Sequence, residues 1–269
     1  MSTMQFTTSA PRLAYTVTEP RNGQAPRRTF LLSHALGCDV TMWDALVAHL
    51  SADNRVVCYD QRGHGRSEAP AGPYTMAQLA DDAARLIDEL NLGAITWIGL
   101  SMGGMIGQEL VLRHPAKVQA VVLANTTSFY PDEACVGWDQ RIATIAQGGL
   151  ASIVDGAMLR WFHDGFRAEQ PEVVAYWKQR VLACDQAGYI ACCQAIRDVD
   201  TTARLASVSV PALVIAGELD LGTPPAMARA IAHHIPGAQL AILPHASHLS
   251  VLEQPQAFIQ TLEQWLASH

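Results

Sequence analysis

The 269-residue chain lacks long apolar runs, basic clusters and blocks of like charge. No segment reaches the roughly 18 consecutive apolar residues of a membrane span, so we expect no membrane partner. Its 18 basic and 25 acidic residues give a formal net charge of −7, without the basic stripe that is typical of nucleic-acid binders. Residues 1–13 show no basic stretch followed by an apolar one, so the sequence predicts no secretory signal.

Metal-binding patterns are absent as well. The six cysteines include no C-x-x-C pair, which removes the usual zinc spacing, and no His, Asp and Glu cluster has metal-ligand spacing. Cys192 and Cys193 are adjacent and poorly placed to bridge each other, so we expect free, mostly buried thiols in a reducing cytoplasm. Residues 60–67 contain neither G-x-G-x-x-G nor a Walker lysine, which favours a structural turn with a buried polar network.

The chain is rich in apolar residues, which are arranged in short runs. Hydrophobic residues make up 49% and charged residues 16%, a composition that excludes a disordered chain. Runs rich in β-branched residues and nearly continuous in apolar character are typical of strands buried on both faces of a parallel sheet. Such runs occupy residues 29–34, 55–60, 95–100, 118–125, 211–217 and 238–244.

Amphipathic helices are predicted between these strands. Residues 75–90 carry an apolar stripe with a period of about 3.6 residues, and Thr75 with Gln78 makes a capping-box start. Further helices are predicted over 102–113 and 255–266. Strand–helix alternation implies an α/β fold with a mostly parallel sheet flanked by helices.

The pattern changes between residues 128 and 205, where no strand is predicted. Helical stretches replace the strands and cover 138–146, 150–161, 172–183 and 188–196. The simplest organisation is a core domain formed by 1–127 and 206–269. A helical lid insertion, 128–205, would then lie over the ends of the strands.

A G-x-S-x-G sequence runs from Gly99 to Gly103, between the predicted strand 95–100 and the predicted helix 102–113. A sharp strand–Ser–helix turn strains the backbone at Ser101 and exposes its hydroxyl above the sheet. The hydroxyl also lies at a helix N-terminus, where backbone N–H groups favour negative charge. We therefore predict that Ser101 is a nucleophile.

A serine nucleophile needs a base, and the base needs an orienting carboxylate. Asp220 and His248 each follow a predicted strand, in the chain order Ser, acid, His. An acid could instead follow strand 118–125, but Asn125 occupies that position and cannot carry the charge that stabilises imidazolium. Glu218 and His245 are weaker alternatives for the acid and the base.

The oxyanion of an acyl-transfer intermediate needs two preorganised donors. The backbone N–H of Met102, directly after the nucleophile, is one candidate. The second donor is expected from the loop after strand 29–34, at the N–H of Leu36. Both residues act through the backbone, so their side chains remain free to line the pocket.

The segments SHALG, YDQRGHGRS and GLSMGG, with the Asp220 and His248 loops, resemble the α/β-hydrolase superfamily over nearly the whole chain. A narrower resemblance is to the 3-oxoadipate enol-lactonases of aromatic catabolism. It rests on GPYTMAQLADD, LSMGGMIGQ, RWFHDGFR, GYIACCQAIRDVD and HLSVLEQP. The GYIACCQAIRDVD segment is the most informative, because it lies in the predicted lid. His163 departs from the pattern, since a small polar residue is expected after RWF.

This resemblance implies the α/β-hydrolase fold and a cytoplasmic serine hydrolase of the β-ketoadipate pathway, with no cofactor and no metal. Ser101, His248 and Asp220 would convert 3-oxoadipate enol-lactone to 3-oxoadipate through an acyl-enzyme. The partner would be this small anionic lactone, and self-association is left open. Another small-ester or lactone hydrolase and a cofactor-free perhydrolase remain alternatives. A non-catalytic small-ligand receptor is an alternative from a different class.

The implied lactone carries a carboxylate remote from its reacting carbonyl, so a chain of net charge −7 must offer it local positive charge. Arg141 lies one helical turn after Trp138, so both side chains are expected to face one pocket. An arginine fork binds a carboxylate bidentately, and the indole adds an apolar wall. Arg160 beside Trp161 is the second choice for the carboxylate site.

Overall fold

One eight-stranded sheet forms the centre of the computed structural model, which describes residues 3–269. The strands are β1 (Gln5–Phe6), β2 (Ala14–Thr18), β3 (Thr29–Ser33), β4 (Arg55–Tyr59), β5 (Ile95–Leu100), β6 (Val118–Ala124), β7 (Ala212–Gly217) and β8 (Gln239–Leu243). They lie in the order β1-β2-β4-β3-β5-β6-β7-β8. Strands β3 to β8 are parallel, whereas β1 and β2 run antiparallel at one edge.

The predicted fold class is confirmed, and each of the six predicted strands is present with ends that differ by no more than one residue. All residues of β5 and β7 are buried, which explains their continuous apolar character. Strands β1 and β2 were not predicted from the sequence. Both residues of β1 are exposed and three of the five in β2 are only half-buried, so neither strand has the apolar run that marks a central strand.

Helices cover the sheet and fill the segment between β6 and β7. They are α1 (Asp44–Leu50), α2 (Met76–Glu89), α3 (Met102–Arg113), α4 (Asp132–Gly148), α5 (Val154–Trp161), α6 (Asp164–Glu169), α7 (Pro171–Leu182), α8 (Gln186–Arg197), α9 (Pro225–His234), α10 (Ser250–Glu253) and α11 (Pro255–Leu266). None of those within residues 3–269 has both the length and the apolar character that crossing a membrane requires.

The predicted start of α2 is present as a capping box. The Thr75 hydroxyl accepts a hydrogen bond from the Gln78 N–H at 3.2 Å, and the Gln78 side chain accepts one from the Thr75 N–H at 3.0 Å.

The expected free thiols are also present, since all six cysteines are unbridged and four of them are buried.

Helices α4 to α8, named here the lid helices, connect β6 to β7. Helix α4 begins six residues before the predicted stretch 138–146, and α6 lies outside every predicted helical stretch. The lid helices lie against the carboxyl end of the sheet. There, Leu249 N–H donates to the Trp161 carbonyl at 3.2 Å. Gly63 and Gly188 meet backbone to backbone where α8 crosses the turn after β4.

Helix α3 packs so closely on the sheet that side chains are excluded at two contacts. A Cβ atom on Gly103 would overlap the Ser33 carbonyl, and one on Gly99 would overlap the Gly103 carbonyl. Residues Met102 to Val111 of this helix are all buried. The small residues of the G-x-S-x-G sequence therefore let the helix lie directly on β3 and β5.

Substituting Gly103→Ala should reduce the free energy of unfolding by about 3 kcal/mol or more, because the overlapping atoms belong to backbone and cannot move aside. Urea unfolding checks this. Gly137→Ala in α4 is the control, since its Cβ would meet no described atom within 4 Å. Because alanine favours the helix more than glycine does, Gly137→Ala should raise the free energy of unfolding by about 0.5–1 kcal/mol. Equal unfolding midpoints for the two variants would contradict the packing argument.

Candidate active site

Ser101 occupies a strained turn between β5 and α3. Its backbone has φ 57° and ψ −115°, a left-handed conformation that a residue with a side chain rarely adopts. The Ser101 N–H donates to the Ala124 carbonyl at 2.9 Å, and the Thr126 hydroxyl donates to the Ser101 carbonyl at 2.7 Å. These two bonds to the end of β6 hold the turn in place, so the hydroxyl projects from the carboxyl edge of the sheet.

The three predicted catalytic side chains form one hydrogen-bonded row. His248 Nε2 lies 2.9 Å from Ser101 Oγ, and His248 Nδ1 lies 3.0 Å from Asp220 Oδ2. All three residues are buried. In this arrangement the imidazole can take the serine proton at Nε2, while Nδ1–H donates a hydrogen bond to the carboxylate. Activation of the nucleophile requires both contacts.

Asp220 is surrounded by hydrogen-bond donors besides the imidazole. The N–H groups of Gly222 and Thr223 donate to Oδ1 at 2.7 and 2.9 Å, and the Thr223 hydroxyl donates to Oδ2 at 2.9 Å. Burial alone would raise the pKa of Asp220, but His248, the Thr223 N–H and the Asn125 side chain outweigh burial and lower the pKa below its usual value. The carboxylate therefore stays ionised and can stabilise a positive imidazole.

Asn125, at the end of β6, connects the acid to the histidine loop. Its side-chain amide donates to Asp220 Oδ2 and to the Ser247 carbonyl, both at 3.0 Å. The side-chain oxygen of Asn125 accepts a hydrogen bond from the Ser250 hydroxyl at 2.6 Å. From the sequence alone, Asn125 is only a position that cannot supply the acid. Its supporting contact was missed, although an asparagine directly after a buried strand is the signal that could have indicated it.

The two weaker alternatives lie away from the serine. His245 and Glu218 are both exposed, and the His245 N–H donates to the Glu218 carboxylate at 3.2 Å. His245 has φ 55°, so it turns the chain just before the His248 loop. The geometry therefore favours Asp220 and His248 over this pair.

Both predicted oxyanion donors lie beside the serine. Met102 is the first residue of α3, and Leu36 lines the same cavity as Ser101 and His248. Among residues 3–269, neither the Leu36 N–H nor the Met102 N–H donates to another protein group. Two free amides near a buried hydroxyl are suited to binding the negative oxygen of a tetrahedral intermediate.

A cavity of about 530 Å³ separates the carboxyl end of the sheet from the lid helices. Ser101 and His248 lie in its lining, as do all four residues predicted to bind substrate. Those four are Trp138, Arg141, Arg160 and Trp161. The structure thus brings the predicted substrate-binding residues and the predicted nucleophile to one space.

Arg141 is held between two aromatic rings in the lid. Its guanidinium carbon lies 5.8 Å from the Trp138 ring centre and 5.7 Å from that of Tyr189. An Nη2 hydrogen bond of 2.5 Å to the Tyr189 hydroxyl fixes the fork. In the part of the chain that the structure describes, no carboxylate pairs with Arg141 or Arg160. Partial burial, followed by the charge of Arg141, lowers the pKa of Arg160.

The chain matches the alpha/beta hydrolase family over residues 30–261, and it belongs to this family. The 3-oxoadipate enol-lactonase 2 of Acinetobacter baylyi is 37% identical over 90% of this chain and 89% of its own length. The crystal structure of the enol-lactonase from Burkholderia xenovorans superimposes with a TM-score of 0.92 at 37% identity, covering 98% and 100% of the two chains.

A more distant relative is a thermophilic esterase from Thermogutta terrifontis, whose structure has malate bound. The two chains are 29% identical and superimpose with a TM-score of 0.89. The match covers 100% of this chain and 98% of the esterase chain. Together these relationships confirm the predicted resemblance and the prediction of an ester-hydrolysing enzyme.

Removing the nucleophile should abolish turnover. We expect Ser101→Ala to lower kcat by about 10⁴-fold or more, and Asp220→Asn by about 10²- to 10⁴-fold, because triad members act as a unit. Steady-state hydrolysis of p-nitrophenyl acetate measures both. His245, which is exposed, provides the control, since the kcat of His245→Ala should stay within a few-fold of wild type. An active Ser101→Ala protein, or an inactive His245→Ala protein beside an active His248→Ala, would refute the assignment.

Proposed function

We propose that this enzyme hydrolyses an enol-lactone that carries a remote carboxylate, with 3-oxoadipate enol-lactone as substrate and 3-oxoadipate as product. The observation that carries the proposal is the pair Arg141 and Arg160 in the wall of the cavity that also contains Ser101. The relatives named as enol-lactonases support the same substrate. The free cysteines are typical of a reducing compartment and support a cytoplasmic site of action. A place in the β-ketoadipate pathway follows from the proposed substrate and product.

Charge distribution supports an anionic substrate. The chain as a whole has a formal charge of −7, yet two arginines without carboxylate partners among residues 3–269 face the cavity. Partial burial and then the charge of Arg141 lower the pKa of Arg160, and a bound carboxylate would offset the repulsion between the two guanidinium groups. Arg141 is already fixed by the Tyr189 hydroxyl and two rings, so it loses little side-chain entropy when it binds an anion.

The first half of the reaction opens the ring. Ser101 Oγ attacks the lactone carbonyl carbon while His248 Nε2 takes the hydroxyl proton. The amides of Leu36 and Met102 bind the oxygen that becomes negative, and Asp220 stabilises the positive imidazole. The ring C–O bond then breaks, and the ring oxygen leaves as an enolate, which takes the proton from His248 and becomes an enol. This enol becomes the ketone of the product.

The second half of the reaction releases the acid. Water attacks the acyl-enzyme carbonyl, and His248 takes one water proton. The imidazole returns that proton to Ser101 Oγ as the ester bond breaks. The products are a free serine and the ring-opened keto acid, so one water is consumed per lactone and no redox step occurs. The carboxylate held at the arginines keeps the acyl chain in the cavity throughout.

The arginine pair is tested by comparing two lactones with the same ring. One is 3-oxoadipate enol-lactone, and the other carries a methyl group in place of the carboxymethyl group. Arg141→Ala should raise KM for the charged lactone by about 10- to 100-fold, the effect of losing a charge-assisted hydrogen bond, and should change KM for the neutral lactone little.

The matched control is Arg197→Ala. This lid arginine pairs with Asp139 and Asp198 and is not among the residues that line the cavity, so both lactones should keep wild-type kinetics. If Arg141→Ala changes KM equally for the charged and the neutral lactone, Arg141 does not bind the carboxylate. A wild type that turns over only the neutral lactone would refute the proposed substrate.

A further inference from the structure

The amide N–H of Leu36 shares a peptide plane with the carbonyl of Ala35. Because a peptide unit is planar, whatever fixes this carbonyl also fixes the direction of the N–H. The Ala35 carbonyl lies 2.8 Å from His34 Nδ1. The imidazole of His34 therefore anchors one side of the peptide whose other side carries the proposed oxyanion donor.

The protonation state of His34 follows from its two neighbours. Its Nε2 lies 3.0 Å from the backbone N of Gln61, a group that can only donate, so Nε2 must be an acceptor. The single proton of the neutral ring is then on Nδ1, where it donates to the Ala35 carbonyl. His34 is completely buried, and this burial lowers its pKa, which keeps the ring neutral.

A second imidazole holds the other end of the same segment. His64 Nε2 accepts a hydrogen bond of 2.8 Å from the Gly37 N–H. His64 is buried beside His34, with 5.3 Å between the ring centres. Burial, followed by the charge that His34 would carry, lowers the pKa of His64 to about 3. Leu36 is therefore flanked by one peptide group fixed by His34 and another fixed by His64.

Side chains of the lid helices also contact this segment, at Gly37. Gly37 has φ 77°, and a Cβ atom there would lie 3.1–3.2 Å from the side chains of Val181, Trp161 and Tyr189. The segment is thus enclosed between two neutral imidazoles and the lid helices. The catalytic row does not use either imidazole, and the proposed mechanism assigns no role to either side chain.

We propose that His34 and His64 are positioning residues of the oxyanion hole, which hold the Ala35–Leu36–Gly37 segment so that the Leu36 N–H points at the reacting oxygen. This inference rests on the proposed function in one respect, the use of the Leu36 amide as an oxyanion donor. His34 also polarises that amide, since a hydrogen bond to the carbonyl of a peptide strengthens its N–H as a donor.

The effect should fall on kcat rather than on KM, because the oxyanion exists only in the transition state and intermediate. Deleting a complete oxyanion donor costs about 10²- to 10³-fold in kcat, so misdirecting one donor should cost about 10- to 100-fold. In the ground state the carbonyl oxygen of the substrate is uncharged, so its hydrogen bond to the Leu36 N–H contributes little to substrate binding. KM should therefore stay within about 2-fold of wild type.

The test uses paired variants that remove or restore the relevant hydrogen bond. His34→Leu removes the donor to Ala35, whereas the side-chain amide nitrogen of His34→Asn can replace Nδ1. His64→Leu removes the acceptor for Gly37, whereas the side-chain oxygen of His64→Gln can replace Nε2. Tyr59→Phe is the matched control, since it deletes a buried 3.1 Å bond to Ser33 close by without touching the segment.

Hydrolysis of p-nitrophenyl acetate is measured per active site titrated with a p-nitrophenyl phosphonate, and thermal unfolding is recorded for every variant. This neutral ester makes the result independent of the lactone assignment. A merely structural role would reduce Tm and the number of titratable sites while leaving kcat per site unchanged. We expect instead that both leucine variants lose about 10- to 100-fold in kcat per site, and that His34→Asn and His64→Gln recover most of it.

Binding of phenylboronic acid, whose tetrahedral adduct on Ser101 places an oxygen at the oxyanion position, should weaken in parallel with kcat. The proposal is overturned if both leucine variants keep wild-type kcat per site, or if His34→Asn and His64→Gln are as impaired as the leucine variants. It is also overturned if Tyr59→Phe loses kcat to the same extent. Activity in Ser101→Ala would instead refute the proposed function, so the two failures are distinguishable.

Discussion

The site depends on one backbone constraint, the left-handed conformation of Ser101 between β5 and α3. Such a conformation costs of order 1–3 kcal/mol in a residue with a side chain and persists only where the surroundings enforce it. Here the enforcement comes from buried strands on either side, from bonds to Ala124 and Thr126, and from glycines that let α3 touch the sheet. The same turn leaves the Met102 N–H, the first amide of α3, without an acceptor among residues 3–269, so the nucleophile and one oxyanion donor arise from a single structural feature.

The remaining polar groups converge because parallel strands end at the same edge of the sheet. Loops after five neighbouring strands each contribute one group, and these groups are Leu36, Ser101, Asn125, Asp220 and His248. Burial makes each unsatisfied polar atom costly, which explains why Asp220 receives donors from three residues besides His248. The lid adds what the sheet edge lacks, two arginines without carboxylate partners within the described residues, and so gives a negatively charged protein a positive cavity wall.

The sequence was informative where a local pattern carries the physical cause. Continuous apolar runs predicted the buried strands, and the places of Ser101, Asp220 and His248 directly after parallel strands predicted their meeting. Edge strands β1 and β2 lack such a run, because their residues are largely half-buried or exposed. The place of Asn125 directly after a strand indicates a role at the sheet edge, but its partners, like those of His34, depend on which strands are neighbours in the sheet. His34 meets Gln61, 27 residues away, only because β3 and β4 pair side by side.

The central claim, that Ser101 is acylated by the lactone, is tested most directly by rapid acid quench during the first turnover, followed by peptide mass spectrometry. Trypsin releases residues 86–113 as one peptide, in which Ser101 is the only serine. Because ring opening expels no leaving group, this peptide should gain the mass of the complete lactone, and fragmentation should place the gain on Ser101. An adduct on another residue, or no adduct at any time within the first turnover, would contradict the account.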